Sequence, residues 1–338
     1  MTINHISPYQ YLLIDIANHA GMDKLSWRER IQWTKDNIAN LEGIVEVDNT
    51  FSYIASVNAL REVERGNPTG RLVSLDATAS FLQILAVMSG CYRTAYQCNL
   101  TDSGSRQDFY TNLVVAMNLH LPKELHIGFN SNLTRDDVKS CAMPVFYGSM
   151  AMPKKVFGED TPELAAFYQA LEDLVPGALE VMGILRTCWD NHALFHQWVL
   201  PDGHTSRVKV MELVKKRIEV DELDHSTFTY QTEVNQASNS GISLLANVIQ
   251  SFDGYIVREV IRRCAVAKIE VLTIHDSFHC HPNHMHQLRS TYQEILVEMS
   301  QSNLLEDVYN QLKSSKDTYT KKSEDLYKDI LKAEYFLS

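Results

Sequence analysis

Arg71-Leu72-Val73-Ser74-Leu75-Asp76 and Glu270-Val271-Leu272-Thr273-Ile274-His275-Asp276 are the two stretches that decide the fold. The first is short and apolar; the second alternates at period two and is rich in branched residues, so both read as strands. Each runs into an acid, Asp76 and Asp276. Outward from them the chain turns helical. Residues 26–42 and 51–65 carry helical periodicity and end at the breaker Gly66-Asn67-Pro68-Thr69-Gly70. Phe81 to Met88 has the apolar density of a buried helix, and 106–119, 134–152, 162–192 and the tail after 285 also read as helical. His196-Gln197-Trp198-Val199-Leu200, the turn Pro201-Asp202-Gly203 and Arg207-Val208-Lys209-Val210 form a hairpin signal. The expected architecture is α/β (α+β): a layer whose strands come from both ends of the chain, with a long, mostly helical insertion between them.

The 338 residues suffice for about two domains of ordinary size. With 45% hydrophobic and 22% charged residues the composition is that of a globular protein, which excludes fibrous and disordered readings. No apolar run approaches the roughly 20 residues of a membrane span. The start, Met1-Thr2-Ile3-Asn4-His5-Ile6-Ser7, lacks the pattern of a secretory or organelle leader, so a cytoplasmic protein without a membrane partner is expected. Six cysteines fall without any C-x-x-C pair, so they are expected reduced and mostly buried. The net charge of −11 argues mildly against nucleic acid, but binding depends on local fields, and Arg207 to Arg217 concentrates cations in one stretch.

Asp76 and Asp276, at the ends of adjacent strands, suit two divalent cations placed for in-line displacement at phosphorus. On position alone, strand-ending aspartates equally fit turn and cap roles. The segment Thr134 to Met152 is more specific. Thr134 and Asp137 fit a capping box, so a helix should start at Arg135. Arg135, Lys139, Met143 and Tyr147 then follow at i+4 and share a face. Two cations, a flexible apolar residue and a phenol on one stripe suit a nucleoside triphosphate, and Gly148 would admit a close approach to the backbone. Pro144 should bend this helix. The dense His275, His279, Cys280, His281, His284, His286 cluster fits no standard zinc spacing.

With these residues in view, the sequence resembles the single-subunit DNA-directed RNA polymerases of bacteriophages and mitochondria. Motif A is matched by Leu75-Asp76-Ala77-Thr78-Ala79-Ser80-Phe81-Leu82-Gln83. Motif B is matched by Arg135, Lys139, Tyr147 and Gly148, and motif C by His275-Asp276-Ser277. Similar stretches also lie at Ile16 to Lys24, Arg106 to Tyr110, Gln250 to Gly254 and Asp329 to Ser338. The resemblance implies a right-hand polymerase palm with inserted fingers: residues 1–105 as palm with motif A, 106–249 as fingers with motif B, and 250–338 as palm with motif C. It implies DNA-templated RNA synthesis from NTPs, with Asp76 and Asp276 holding two Mg2+ ions. Lys139 and Tyr147 join them as catalytic residues, and Arg135, Met143, Gly148, Ser80, His275 and Gln250 as substrate-binding ones.

Family members also carry a promoter-binding region, a thumb and a T/D-x-x-G-R motif upstream of motif A that this sequence does not match. The resemblance therefore implies one half of a polymerase split over two polypeptides, an organisation used by some phages, with DNA template and RNA product as further partners. Two positions depart from the pattern. Phe81 stands where the family usually has Gly, and Gln250 where it usually has His, so both bear on sugar selection. Because other features favour RNA synthesis, the Phe81 ring is expected to point into the core. The competing readings are a family A-like DNA polymerase and a non-catalytic nucleic-acid-binding subunit of the same fold.

Overall fold

The computed structural model describes residues 6–235 and 242–338. Chain order begins with three helices, α1 (Pro8–Ala17), α2 (Trp27–Asp36) and α3 (Thr50–Glu64), followed by strand β1 (Val73–Asp76). Next come α4 (Ser80–Ser89), α5 (Tyr92–Gln97), α6 (Phe109–His120), α7 (Arg135–Phe146), α8 (Ala151–Phe157), α9 (Pro162–Leu174) and α10 (Pro176–Arg186). Four strands follow, β2 (Phe195–Val199), β3 (Thr205–Lys209), β4 (Met211–Val220) and β5 (Ser226–Asn235). The chain closes with α11 (Ile242–Val266), β6 (Val271–Ile274), β7 (Ser277–Cys280), α12 (Pro282–Gln301), α13 (Leu304–Lys313) and α14 (Leu326–Ile330). Helices and small antiparallel sheets make this an α+β fold.

The two acid-ending strands lie in one sheet of order β1-β7-β6, antiparallel throughout. They are not neighbours, as the sequence suggested. β7 sits between them, so β1 and β6 run the same way and deliver their acids to the same end of the sheet. The turn His275-Asp276 joins β6 to β7, with Ile274 opposite Ser277. Beyond β1 the residues after Asp76 pair with the C-terminal segment: the Ser338 N–H donates to the Asp76 carbonyl (2.8 Å) and the Thr78 N–H to the Phe336 carbonyl (3.1 Å).

After β1 comes α4, whose ten residues are all buried. It is hydrophobic all round because α10, α11, α12 and α5 surround it. Gly177 lets α10 close on the turn after α4, since a Cβ there would lie 2.2 Å from the Cβ of Cys91. The helix start expected at Arg135 appears, with Thr134 and Asp137 forming a complete capping box, and the structure adds two more such boxes, Ser7 with Gln10 and Ser26 with Glu29. All six cysteines are free and buried.

Two expectations change. The helix read over 134–152 is two helices, because α7 stops at Phe146. Gly148 adopts φ 95°, the Gly148 N–H donates to the Val145 carbonyl (2.8 Å) and the Ser149 N–H to the Pro144 carbonyl (2.9 Å), which is a Schellman stop. The second change is a ribbon of β4 and β5, ten residue pairs long, that follows the expected hairpin of β2 and β3. Lys215, Lys216 and Arg217 lie on β4, and strand alternation sends Lys216 to the side opposite the other two, so the cation run is divided rather than a stripe. No helix among the described residues is long and apolar enough to cross a membrane.

Candidate active site

Asp76 and Asp276 meet because the backbone ties their strand ends together: the Ala77 N–H donates to the Asp276 carbonyl (3.0 Å). Burial raises the pKa of Asp276, and the charge of Asp76 adds to the rise. The oxygen donors of the pair suit a hard divalent cation. Both motifs hold a strained residue within three positions of the acid. Ala79 (φ 57°) caps α4, and His275 (φ 55°) opens the β6–β7 turn, both in the left-handed region that a Cβ disfavours.

Ser80, read from sequence as substrate-binding, is buried, and its hydroxyl favours the charged forms of the nearby Asp276 and Asp253 carboxyls. Asp253, on α11, is a third acid that motif spacing alone did not single out. Burial, with Asp276 nearby, pushes its pKa up to about 7. The field of Asp253 also reaches Tyr147, whose pKa burial raises to about 12. Gln250 is exposed on α11 one turn before Asp253, and the i, i+3 spacing is the signal that could have found the latter.

From α7 come Arg135, Lys139 and Met143 on one face, but Tyr147 is not on that helix stripe. It is the C-cap, half-buried, and its ring packs on Phe81 at 6.0 Å. Phe81 is itself 3% exposed and lies 5.0 Å from Phe146, so its ring is in the core, as expected, though against α7. Gly148 is buried and required by the Schellman stop, which explains its identity without any ligand. Arg135 is held by Asp108, whose carboxylate accepts from Nη2 at 2.6 Å and Nε at 3.0 Å. Lys139 is exposed, and the ring of Tyr110 lies beneath both cations, 5.5 Å from Arg135 and 5.6 Å from Lys139.

A cavity of about 500 Å³ joins these groups. Its wall includes Asp76, Arg106, Tyr110, Arg135 and Lys139 together with His19 and Lys24. Met143, Tyr147, Gly148, Ser80, His275, Asp276 and Gln250 do not line it. The histidine cluster is split by the strand pleat: His279 and Cys280 face opposite sides of β7, and His281 caps α12, its side chain accepting from the Asn283 N–H (3.3 Å).

Paired carboxylates at one sheet end, with cations from a helix across a polar cavity, define a protein that handles phosphate esters. The chain belongs to the DNA-dependent RNA polymerase family, whose sequence model matches residues 6–157 and 206–335. No curated protein matches it.

Proposed function

We propose that this chain is the catalytic part of a DNA-templated RNA polymerase that works by two-metal nucleotidyl transfer, with residues 1–105 and 250–338 as palm and 106–249 as fingers. The observation that carries the reading is the Ala77–Asp276 backbone hydrogen bond, which brings the motif A and motif C acids to one place. Asp76 and Asp276 would hold two Mg2+ ions, which when bound lower the pKa of the attacking 3′-hydroxyl and stabilise the departing pyrophosphate.

The chain's own residues do the rest. Lys139 and Arg135 neutralise charge on the triphosphate, as preorganised cations do at a phosphoryl transition state. The Tyr110 ring fixes their height over the cavity by cation–π contact. Asp108 restrains Arg135 until a triphosphate competes for its guanidinium. Ser80 and Asp253 lie close to Asp276 and tune its charge environment. Tyr147, anchored on Phe81, is placed to report on the sugar of the incoming nucleotide. A second polypeptide would supply the thumb and the T/D-x-x-G-R grip on the hybrid.

Asp76→Asn or Asp276→Asn tests this. Either should abolish nucleotide incorporation on a primed DNA template, while the melting temperature stays level or rises as the carboxylate repulsion is relieved. Near-normal synthesis by either variant would defeat the assignment and favour a non-catalytic nucleic-acid-binding subunit.

A further inference from the structure

Helix α5 ends in a Schellman stop built on a residue that is not glycine. The Leu100 N–H donates to the Ala95 carbonyl (2.9 Å) and the Asn99 N–H to the Tyr96 carbonyl (3.3 Å), with Asn99 at φ 60°. Glycine is what this left-handed position favours, and a Cβ there costs stability. What the Asn99 side chain touches accounts for its presence.

Asn99 is 2% exposed, and its amide engages both polar groups of a single backbone position. Its Oδ1 accepts from the Gln107 N–H (2.7 Å), and its Nδ2 donates to the Gln107 carbonyl (2.9 Å). Residues 100–108 between α5 and α6 form neither helix nor strand, so this two-point tie, rather than regular structure, fixes where α6 begins.

The segment that starts at Gln107 carries the supports of the cavity's cations. Asp108 holds Arg135, and the Tyr110 ring lies beneath Arg135 and Lys139. In the other direction along the chain, the Cys98 carbonyl accepts from the Thr78 hydroxyl (3.1 Å) and from Nε2 of the fully buried Gln83 (3.3 Å). Thr78 stands two residues after Asp76. Cys98-Asn99 is thus bonded to the motif A turn by one residue and to the support of Arg135 by the next. Asp76, Thr78, Asn99, Gln107, Asp108 and Arg135 all line the same cavity.

Phosphoryl transfer needs the reacting phosphorus at the carboxylate end while the rest of the triphosphate rests on the cations, and a misplacement of about 1 Å can cost a hundredfold in rate. We propose that Asn99 is a positioning residue for the triphosphate. It sets the spacing between the Asp76 side of the cavity and Arg135, acting through the Gln107 backbone and Asp108. The inference rests on the nucleotidyl-transfer reading and adds to it a residue outside all three motifs.

The test is NTP incorporation by the full chain on a primed DNA template, with Asn99→Gly and Asn99→Ala. Both remove the amide, but only alanine keeps a Cβ in the left-handed position, so Asn99→Gly should melt higher than Asn99→Ala. Positioning makes the two variants alike in catalysis. The KM for NTP should rise about tenfold in each, with the Kd for primed template, read by fluorescence anisotropy, within about twofold of wild type. In an Arg135→Ala background, Asn99→Gly should change KM by less than about twofold, because the group it positions is gone. An unchanged KM in Asn99→Gly would overturn the proposal. So would a rise confined to the lower-melting Asn99→Ala, which would reduce Asn99 to a helix stop, or a tenfold rise that persists without Arg135. Each of these leaves the nucleotidyl-transfer reading standing, since wild-type incorporation is measured in the same assay. A wild-type chain that incorporates no nucleotide would instead sink that reading and this inference with it.

Discussion

Single residues around the carboxylates hold conformations and protonation states that a free chain would not choose. Ala79 pays the left-handed strain that glycine avoids, so Ala79→Gly should raise stability by roughly 0.5–1 kcal/mol, relief of αL strain outweighing glycine's extra unfolded-state entropy. Chemical denaturation reads the change, and an unchanged midpoint would show that the strain is absent. Asp253 offers a pH signature. Its folded pKa of about 7 lies above the ordinary 3.8, so the folded state keeps a proton that the unfolded state has lost. The stability this contributes is complete below about pH 4 and is lost as pH rises through 7. In metal-free buffer Asp253→Asn should therefore gain on the wild type between those limits and then level off. A parallel pair of stability curves would contradict the buried, protonated carboxyl. A left-handed alanine has no sequence mark, and beyond its spacing from Gln250 nothing in the sequence marks Asp253, whose raised pKa comes from burial with the nearby Asp276 adding to it.

At the level of elements, the end of α7 decides where the Tyr147 phenol, proposed to sense the sugar, sits. Gly148→Ala forces a Cβ into the left-handed position of the Schellman stop, which should cost about 1–2 kcal/mol and displace Tyr147. The check is a thermal melt paired with the ratio of ribo- to deoxynucleotide incorporation, and a lower melting point with that ratio intact would uncouple the two. Phe81 supports the same ring from α4. Removing a buried phenylalanine side chain as Phe81→Ala should cost about 3–5 kcal/mol, and Tyr147→Phe should relax sugar discrimination with little loss of stability. A wild-type preference for deoxynucleotides that Phe81→Ala reverses would favour the DNA polymerase reading. The start of α7 was legible because a capping box is local chemistry at fixed spacing. Its end was not, because helical periodicity runs on smoothly through Tyr147 and only the hydrogen bonds to Gly148 and Ser149 stop it. The ribbon of β4 and β5 was missed for a related reason. Both its faces are exposed, and Lys216 interrupts the apolar face of Ile218, Phe228 and Tyr230, so no buried side prints a continuous alternating pattern along β4.

In the whole molecule, β1 is gripped by segments from far along the chain. The C-terminal residues pair with one edge of its extension, β7 pairs with the strand itself, and Asp15 reaches in from α1. Asp15 is 1% exposed, and its carboxylate accepts from the Ser74 N–H (3.1 Å), the Ser56 hydroxyl (2.6 Å) and Arg71 Nη2 (3.2 Å). Thus α1, α3 and the strand bearing Asp76 are joined through one carboxylate. Burial alone would raise its pKa, but His19, Arg71 and Ser56 more than offset this and hold it below the ordinary value. Because the folded pKa is depressed, the stability it contributes is present above the unfolded value of about 4 and is lost as pH falls through the folded one. Asp15→Ala leaves the half-buried Arg71 without its counter-charge and the Ser74 N–H without an acceptor. Removing one partner of a buried pair in this way should cost about 3–5 kcal/mol near neutral pH. The deficit should shrink as the wild type is acidified below pH 4, which a bulk packing defect would not do. Incorporation should fall even where the variant is fully folded, since β1 loses the contact that fixes Ser74 two residues before Asp76, the proposed metal ligand. Urea titrations at pH 7 and pH 3, with primer extension at a temperature below the variant's melt, separate the outcomes. A pH-independent deficit with undiminished incorporation would reduce the clamp to ordinary packing.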